Sequence, residues 1–483
     1  MFSLKPTLQT LVGLALFAAG LSAHATTWYL KAGHSPGKGT AEEPFNSMEA
    51  LGNLAEEGDT LVILPSPDIF KGKIKLKPDQ IIKGGGEIGC AGTPFVCQVN
   101  QAGARITNPD GDAIELAENT QIMGIEIIKP AGYAIYGKNV RNVKISHTRI
   151  VGANQAAQVQ DEFLPPPELR GFMTFFLGKK YNNRNFPKAA IAFIGDSDYS
   201  LDAIEISNSL IEAENGSGTK GSGISVLLGE KSSAGIALEN NMIKGNGTLA
   251  GVLPNYHAGI YLLAKDEAEG RLKIKGLTVS HLKLFNDGID VMAFDDAKLY
   301  VHINGYQFYG SPWQGQMSEG LETITAYGQG KFAPLAKMTA TEHHAQIVLR
   351  LENSLITGSG GPGVVICNSL GNAPKNIIDL GQGTPTESGF FIDSPSSGHN
   401  EIYNNSSASQ NGVEMMVING SVYARNNWWG EKGTIKGKNG DWSLDPKRAR
   451  LCGVNLKADF CQKGEVSQLV TEPALQQGGG KSK

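Results

Sequence analysis

Ten short stretches of this 483-residue chain share one pattern, in which a small residue, usually glycine, precedes an apolar residue that opens an alternating strand. These apolar residues recur at intervals of 21 to 56 residues, at Ile114, Ile135, Ile191, Ile224, Ile260, Ile289, Leu321, Val364, Phe390 and Val413. Such self-similarity predicts a repeat architecture, because one unit of short strands cannot bury its apolar row until further units stack on it.

Between these stretches lies a second kind of strand that ends near an asparagine or a polar equivalent, as in Ile204–Ile211, Ile236–Ile243 and Val348–Ile356. Asparagine tolerates the left-handed backbone that a tight corner requires, and loops of variable length leave stacked strands undisturbed. The 61 glycines follow no three-residue period, which excludes collagen. The variable intervals also disfavour leucine-rich repeats and β-propellers, whose periods are stricter.

These Gly-Ile and Asn-x-Ile strands resemble the repeats of the right-handed parallel β-helix family, over roughly residues 105–430. The resemblance implies an all-β chain that forms a right-handed parallel β-helix, a solenoid of about ten coils. The segment from Trp28 to Ile63 is similar to the opening module of secreted β-helix proteins, in which a short helix covers the open end. We therefore expect an N-terminal helical cap that protects the first strand edges from aggregation.

The expected cap helix spans Met48 to Glu57. Ser47 is suited to cap its N-terminus, and Gly58 is suited to end it. The apolar face of this helix is predicted to comprise Leu51, Leu54 and Ala55.

The N-terminus has the three parts of a secretory signal peptide. Lys5 is basic, an apolar run covers residues 8–19, and Ala23-His-Ala25 forms a small-residue cleavage site. A membrane anchor is the alternative, but the run is short and contains Gly13. The sequence predicts cleavage after Ala25, no membrane span thereafter, and a secreted or periplasmic protein.

Five cysteines fit an oxidising compartment. Cys90 and Cys97 form one local pair and Cys452 and Cys461 another, which leaves Cys367 as a buried free thiol. A zinc site is disfavoured, since no C-x-x-C accompanies these residues.

The chain is thus expected to divide into five regions. They are a signal peptide (1–25), an N-terminal cap with the first coils (26–104), the parallel β-helix (105–430), a C-terminal cap (431–470) and a disordered tail (471–483).

A net charge of −4 lacks the excess of positive charge that attracts nucleic acid, so we expect no nucleic-acid partner. Enzymes of the β-helix family mostly act on acidic polysaccharides, and the resemblance implies an exported, monomeric protein that binds a polysaccharide, expected to be acidic. Whether it also cleaves the polysaccharide, as a lyase or a hydrolase, stays open, because the Asn-Thr-Asp and Gly-His-Gly motifs of polygalacturonases are absent. The alternative is a non-catalytic surface adhesin or a structural envelope protein.

Strand alternation nevertheless predicts a polar column. In the Gly-Ile-x-Val pattern the isoleucine points inward, so the next residue points outward. Stacking then aligns Ser225, Tyr261, Asp290 and Glu322. Three further residues precede the glycines of these strands, namely His257, Asp287 and Glu319.

We expect Asp290, Glu322, Asp287 and His257 to serve as candidate catalytic groups, because like charges at strand spacing raise a carboxyl pKa. The same carboxylates could instead recruit a hard cation. Calcium is the candidate cofactor, with Asp290, Asp295 and Asp296 as ligands. The alternative without a functional site is a solvated face whose carboxylates pair with Lys265 and Lys298.

Two aromatic-rich insertions, residues 155–188 and 306–346, are candidates to line a groove beside the column. The expected substrate-binding residues are Tyr261, Glu319, Trp313, Tyr309 and Arg170, because rings beside basic groups suit stacking on sugars and recognition of carboxylates. The alternative is that these rings form small cores under long loops.

Overall fold

The computed structural model describes fifteen segments of the chain, which are residues 25–51, 54–92, 96–156, 188–214, 218–245, 257–282, 286–310, 319–326, 344–367, 376–383, 394–406, 412–418, 421–436, 442–452 and 468–470. The predicted signal peptide before Ala25 and the predicted tail after residue 470 lie outside these segments.

Most strands join one 20-stranded sheet in which every neighbouring pair is parallel. Its members, numbered in chain order, are β1 (Thr27–Leu30), β2 (Thr60–Ile63), β3 (Phe70–Lys71), β5 (Ile81–Lys83), β8 (Ala104–Thr107), β10 (Gln121–Met123), β11 (Ile125–Ile128), β13 (Val143–Ser146), β14 (Arg149–Val151), β16 (Ser200–Ser207), β17 (Leu210–Glu212), β19 (Ser233–Lys244), β21 (Glu269–Ser280), β23 (Lys298–Tyr309), β25 (Gln346–Glu352), β26 (Leu355–Thr357), β28 (Ile377–Gly381), β29 (Glu401–Tyr403), β31 (Ser421–Ala424) and β35 (Gln468–Val470).

A second, 11-stranded sheet is also parallel and contains the Gly-Ile strands of the sequence repeat. Its members are β4 (Ile74–Lys75), β9 (Ile114–Glu115), β12 (Ile135–Lys138), β15 (Ala189–Gly195), β18 (Ser222–Leu228), β20 (His257–Ala264), β22 (Asn286–Phe294), β24 (Leu321–Ala326), β27 (Val364–Cys367), β30 (Met415–Ile418) and β34 (Ala449–Cys452).

Elsewhere in the described part of the chain there are two antiparallel hairpins and two short helices. The hairpins pair β6 (Glu87–Ala91) with β7 (Val96–Gln101) and β32 (Thr434–Lys436) with β33 (Trp442–Leu444). The α-helix α1 spans Met48–Leu51, and a 3-10 helix spans Pro446–Arg448.

The large sheet bends along its length, so that it forms two faces. β19, β21 and β23 each have 12 residues, and each bends at one residue with positive φ, namely Asn240, Gly276 and Gly305. The first half of β19 pairs with β16 and its last residues pair with β17. The chain therefore passes through three strand segments per turn, two in the large sheet and one in the 11-stranded sheet.

Asparagines occupy the corners, as the sequence predicts. Nine asparagines of the described segments have positive φ, together with two strand-end histidines, His147 and His281. The polar amide makes this conformation less costly than it is for a bulky side chain.

The glycines that open the repeat strands serve close packing instead. A Cβ at Gly259 would lie 2.6 Å from the carbonyl oxygen of Gly288, and one at Gly288 would lie 2.3 Å from the carbonyl oxygen of Gly320. Contacts this short are not tolerated, so the stacked backbones require residues without a Cβ.

A single core cluster of buried apolar side chains extends from Leu30 to Leu444. Inward side chains of both sheets contribute to it, as expected for a stack of units that share one core. The described segments accordingly form a parallel β-solenoid with almost no helix. Its handedness and its number of coils stay predictions. Within the described segments no helix has the length and apolar character needed to cross a membrane.

The N-terminal helix is shorter than predicted. The Ser47 hydroxyl does accept the Ala50 N–H at 3.1 Å, but α1 ends at Leu51. Leu51 and Ala55 are buried, whereas Leu54 is 53% exposed, so the expected apolar face is wrong at Leu54. Whether this region closes the solenoid stays a prediction.

The first predicted cysteine pair is confirmed, since Cys90 and Cys97 form a disulfide across the β6–β7 hairpin. Cys367 is a free thiol, but it is half-buried and not fully buried as expected. The partner predicted for Cys452, Cys461, lies outside the described segments.

Candidate functional site

The polar column lies on the outer side of the 11-stranded sheet, at its middle. Ser225 pairs with Tyr261, Tyr261 with Asp290, and Asp290 with Glu322, on four successive strands. Because neighbouring parallel strands lie about 4.8 Å apart, each of these residues is a direct strand neighbour of the next. The inward neighbours Ile289 and Leu321 are fully buried in the core, as the alternation predicts.

The expected exposure of this column is wrong. Ser225 and Asp290 are 0% exposed and Tyr261 is 1% exposed, so the outer side of the sheet is buried here as well. Interleaved apolar residues of the same side, such as Leu263 and Met292, are buried too. The interpretation as a solvated face paired with Lys265 and Lys298 therefore fails for Asp290.

Four carboxyl groups meet on β22 and at the start of β24. The buried members are Asp287 and Asp290 at 0% exposure and Glu319 at 8%, whereas Glu322 is partly exposed. The Glu319 backbone N–H donates to Asp287 Oδ1 at 2.6 Å. Ligand oxygens of Asp287, Glu319 and Glu322 all lie within 4.8 Å of one another. We call these four residues the acidic cluster.

Asp290 has an unusual position within the acidic cluster. Neither of its oxygens accepts a hydrogen bond from a donor among the described residues, and both are buried. Its contact is the Glu322 carboxyl, and two carboxyls form a hydrogen bond only when one of them holds a proton. Burial, then the charges of Asp287 and Glu322, raise the pKa of Asp290 well above its usual range. Asp290 is therefore the proton-bearing partner of this pair.

Asp287 and Glu319 form the second pair of carboxyls in the acidic cluster, and their pKa values are raised as well. Burial, then the charges of Glu319 and Glu322, raise the pKa of Asp287 well above its usual range. Burial also raises the pKa of Glu319, although the contact with Asp287 lowers it in part. Both carboxyls of this pair therefore favour the protonated form.

Glu322 titrates closest to neutral pH. Burial raises the pKa of Glu322 to about 7, and the hydrogen bond from Asp290 limits the rise. A carboxyl with this pKa exchanges its proton at physiological pH, which is the requirement for a general acid or base. Because Glu322 is the most exposed member of the acidic cluster, it is the one that can contact a ligand.

A cation is the other possible occupant. Ca²⁺ binds carboxylate oxygens, and the oxygens of Asp287, Glu319 and Glu322 are close enough together to share one ion. The predicted ligands Asp295 and Asp296 are not part of this group. They follow the C-terminal end of β22, about 16 Å along the strand from Asp290 at roughly 3.3 Å per residue, and Asp296 instead accepts a hydrogen bond from the His344 backbone N–H at 3.0 Å.

The other predicted site residues are dispersed. His257 begins β20 and pairs with Asn286, but its side chain is not among the described ones. Tyr309 ends β23 in the large sheet, away from the acidic cluster. Trp313 and Arg170 lie outside the described segments.

The sequence placed Tyr306 in an insertion beside the column, but Tyr306 lies in β23 and supports the site from inside. Its ring is fully buried and its hydroxyl donates to the carbonyl oxygen of Gly320 at 2.8 Å. Burial, followed by the charges of Asp287 and Asp290, raises the pKa of Tyr306 well above its usual range. The alternation of apolar residues along β23 could have indicated this, because Tyr306 and Phe308 occupy its inward positions.

Comparison with known proteins assigns no family. No protein-family model and no curated protein matches the chain. Among solved structures, the catalytic domain of a GH87 α-1,3-glucanase is 12% identical, with 81% of this chain and 68% of that one covered at a TM-score of 0.32. A GH136 lacto-N-biosidase from Eubacterium ramulus is 10% identical, with 93% and 67% covered at 0.36.

A surface adhesin of Streptococcus pneumoniae, PfbA, is 11% identical, with 87% of this chain and 93% of that one covered at a TM-score of 0.24. Likenesses of this size support no inference about activity. The functional interpretation therefore depends on the acidic cluster itself.

Proposed function

We propose that this chain is an exported protein that binds a polysaccharide and hydrolyses it, with Glu322 as the general acid. One observation carries the proposal. Glu322 is the partly exposed member of four clustered carboxyls, and its pKa is raised to about 7. Pairs of carboxyls whose surroundings separate their proton affinities are the usual machinery of glycosidic bond cleavage.

In this mechanism Glu322 gives its proton to the glycosidic oxygen as the bond to the sugar breaks. Asp290 is a positioning residue, because it contacts Glu322 and not the substrate. Its proton forms the hydrogen bond that holds the Glu322 carboxyl in place and stabilises the ionised form left after transfer.

Glu319 does not qualify as an ionised nucleophile, because burial, followed by the charge of Glu322, raises its pKa well above its usual range. The oxygens of Glu319 and Glu322 lie within 4.8 Å. In the proposed hydrolysis the bond to the leaving sugar breaks, a water molecule bonds to the anomeric carbon, and the proton lost by that water returns to the Glu322 carboxylate.

The test is turnover of a panel of neutral and acidic polysaccharides, followed by reducing-end and unsaturated-product assays. We expect new reducing ends without unsaturated products, and Glu322→Gln should lower kcat by about 10²–10⁴-fold. Glu267→Gln is the matched control, because Glu267 is an exposed carboxylate paired with Lys231. Full turnover by Glu322→Gln would exclude the proposed acid, and unsaturated products would indicate a lyase.

The pH profile separates the roles of Asp290 and Glu322. A general acid must be protonated, so activity should fall as pH rises through about 7. Asp290→Asn keeps a hydrogen-bond donor and should leave this limb in place. Asp290→Ala removes the bond that lowers the Glu322 pKa, so the limb should move to higher pH. If the pH at which activity falls is unchanged in Asp290→Ala, the positioning role of Asp290 is refuted.

A non-catalytic surface or envelope protein is the second candidate, and the complete burial of Asp290 favours it. In that case the acidic cluster is a structural element, held together by shared protons or by calcium. Binding without turnover of any glycan would support this candidate. Calorimetric titration with CaCl₂ tests the calcium alternative, which predicts binding that Glu322→Gln weakens.

Export fits the disulfide Cys90–Cys97, because such bonds persist in oxidising compartments. We propose a periplasmic or secreted location, with Thr26 as the first residue of the mature protein. Mass spectrometry of the exported fraction checks this terminus.

A further inference from the structure

A stack of aromatic and polar side chains lies on the large sheet, where β23, β26 and β29 end. Two outward rows run across these strands and the segment after β31. One row aligns Gln307, Leu355, Glu401 and Trp428, and the other aligns Tyr309, Thr357, Tyr403 and Gly430. We call these eight residues the aromatic strip.

The inward neighbours establish that the strip faces outward. Phe308, Ile356, Ile402 and Trp429, which alternate with members of the strip, are each 0% exposed in the core. By contrast, the seven strip residues with side chains are all half-buried. Their edges and faces therefore reach solvent, unlike the sealed outer side of the 11-stranded sheet around Asp290.

The rings of the aromatic strip are close enough to form one surface. The ring centroids of Tyr403 and Trp428 lie 4.8 Å apart with a 58° tilt between the planes. Tyr309 stands two strands before Tyr403 in the same row, with only Thr357 between them. Gly430 ends this row without a side chain.

Polar groups accompany the rings on every strand. The Tyr309 hydroxyl donates to Gln307 Oε1 at 3.3 Å, Thr357 contributes a hydroxyl, and Glu401 contributes a carboxyl beside Trp428. The eight positions include one acidic residue and no basic one. An apolar protein partner would require a continuous apolar patch, and an anionic polymer would be repelled by Glu401.

A neutral sugar chain fits this chemistry. A pyranose ring has a C–H face, which packs on aromatic rings, and a rim of hydroxyls, which bond carboxylates, amides and hydroxyls. The strip repeats this combination at the strand spacing of about 4.8 Å, a step comparable with one sugar unit.

We propose that the aromatic strip binds a neutral polysaccharide along the solenoid axis, as a binding surface separate from the acidic cluster. The inference takes its ligand class from the proposed function, but it does not require catalysis at Glu322. Trp428 and Tyr403 supply the stacking faces, and Glu401 accepts hydrogen bonds from sugar hydroxyls. The expectation that Tyr309 binds substrate is thereby given a location, next to Tyr403 and not next to Asp290.

The experiment is calorimetric titration of the intact protein with neutral glucose hexasaccharides of α-1,4, β-1,4 and β-1,3 linkage, and with a polygalacturonate hexasaccharide. We expect at least one neutral hexasaccharide to bind, and Trp428→Ala and Tyr403→Ala to weaken it by about ten-fold or more. Tyr403→Phe keeps the ring and should retain binding. Tyr300→Ala is the matched control, because Tyr300 is a half-buried tyrosine of the same strand β23, outside the strip.

Two results would overturn the proposal. One is wild-type affinity in Trp428→Ala and Tyr403→Ala proteins that melt like wild type, and the other is no binding of any neutral hexasaccharide by the wild type. All titrations are repeated with Glu322→Gln, which cannot consume the ligand if the proposed acid is right. If the wild type binds a neutral hexasaccharide through the aromatic strip but does not cleave any glycan, the proposed hydrolase is rejected and the proposed binding surface is supported.

Discussion

At the scale of single residues, the glycines of the repeat are explained by contact and not by conformational freedom. Gly288 begins the strand segment that carries Asp290, and a Cβ there would lie 2.0 Å from the Tyr306 hydroxyl. The same Cβ would lie 2.3 Å from the Gly320 carbonyl oxygen, which accepts the Tyr306 hydrogen bond. Both neighbours are held by the core, so neither can move freely.

Gly288→Ala should therefore lower the free energy of unfolding by about 2–4 kcal/mol, because it overpacks the core and breaks a buried hydrogen bond. Urea denaturation measures this. Gly235→Ala is the control, since Gly235 also lies in a strand but its added Cβ would meet nothing nearer than 3.5 Å. Gly235→Ala should leave the stability unchanged or slightly raised. Equal stability of the two variants would contradict the contact explanation.

The sequence predicted which residues are neighbours better than it predicted their surroundings. Alternation with a period of two assigned Asp290 and Glu322 to the same side of adjacent strands, because register depends on local pattern. It could not predict that Asp290 is fully buried, since burial of the outer side depends on what packs against the sheet from elsewhere in the chain. Asp295 and Asp296 are close in sequence to Asp290 but distant in space, because an extended strand rises by roughly 3.3 Å per residue.

At the scale of elements, the β6–β7 hairpin is an antiparallel addition to a parallel fold, and its stability depends on its disulfide. Cys97 and Ile88 pack on Leu210 and Met242 of the large sheet in a cluster separate from the main core. The Ile88 backbone N–H also donates to His147 Nδ1 at 3.2 Å. This small contact area is supplemented by the disulfide, which closes a short loop.

Cys90→Ser with Cys97→Ser should destabilise the hairpin by about 2–3 kcal/mol, because the unfolded loop is no longer constrained. Hydrogen exchange followed by mass spectrometry should show faster exchange in residues 87–101, with the core strands unchanged. Cys367→Ser removes the free thiol and should leave the hairpin protected. Faster exchange throughout the solenoid would mean that the hairpin belongs to the global folding unit.

At the scale of the whole molecule, the fold was largely predictable because a solenoid repeats the same local sequence pattern many times. Gly-Ile strands, asparagine corners and inward apolar rows each recur, so an error in one unit does not alter the architecture. The α1 region is not repeated, and there the prediction of a helix to Glu57 was wrong, because its cap, its apolar face and its stop each occur only once.

The buried carboxyls make stability depend on pH in a direction opposite to that of most salt-bridged proteins. Burial raises the pKa of both Glu322 and Glu414 to about 7. The unfolded chain releases these protons near pH 4, whereas the folded chain keeps them until about pH 7. Between these values the native state binds more protons, so stability is greatest on the acidic side and falls as pH rises through 7.

Glu352 acts in the opposite direction, because hydrogen bonds from His302, Arg350 and Ser397 outweigh burial and lower its pKa. Its stabilising contribution is present above about pH 4 and is lost as pH falls further. The Tm should accordingly peak near pH 5 and decrease by several degrees at pH 8, as scanning calorimetry would measure. Glu322→Gln and Glu414→Gln should each flatten the decrease between pH 5 and pH 8, while Glu267→Gln should not. A wild-type Tm that rises over this range would show that the acidic cluster is ionised in the folded protein, as it would be with a bound cation.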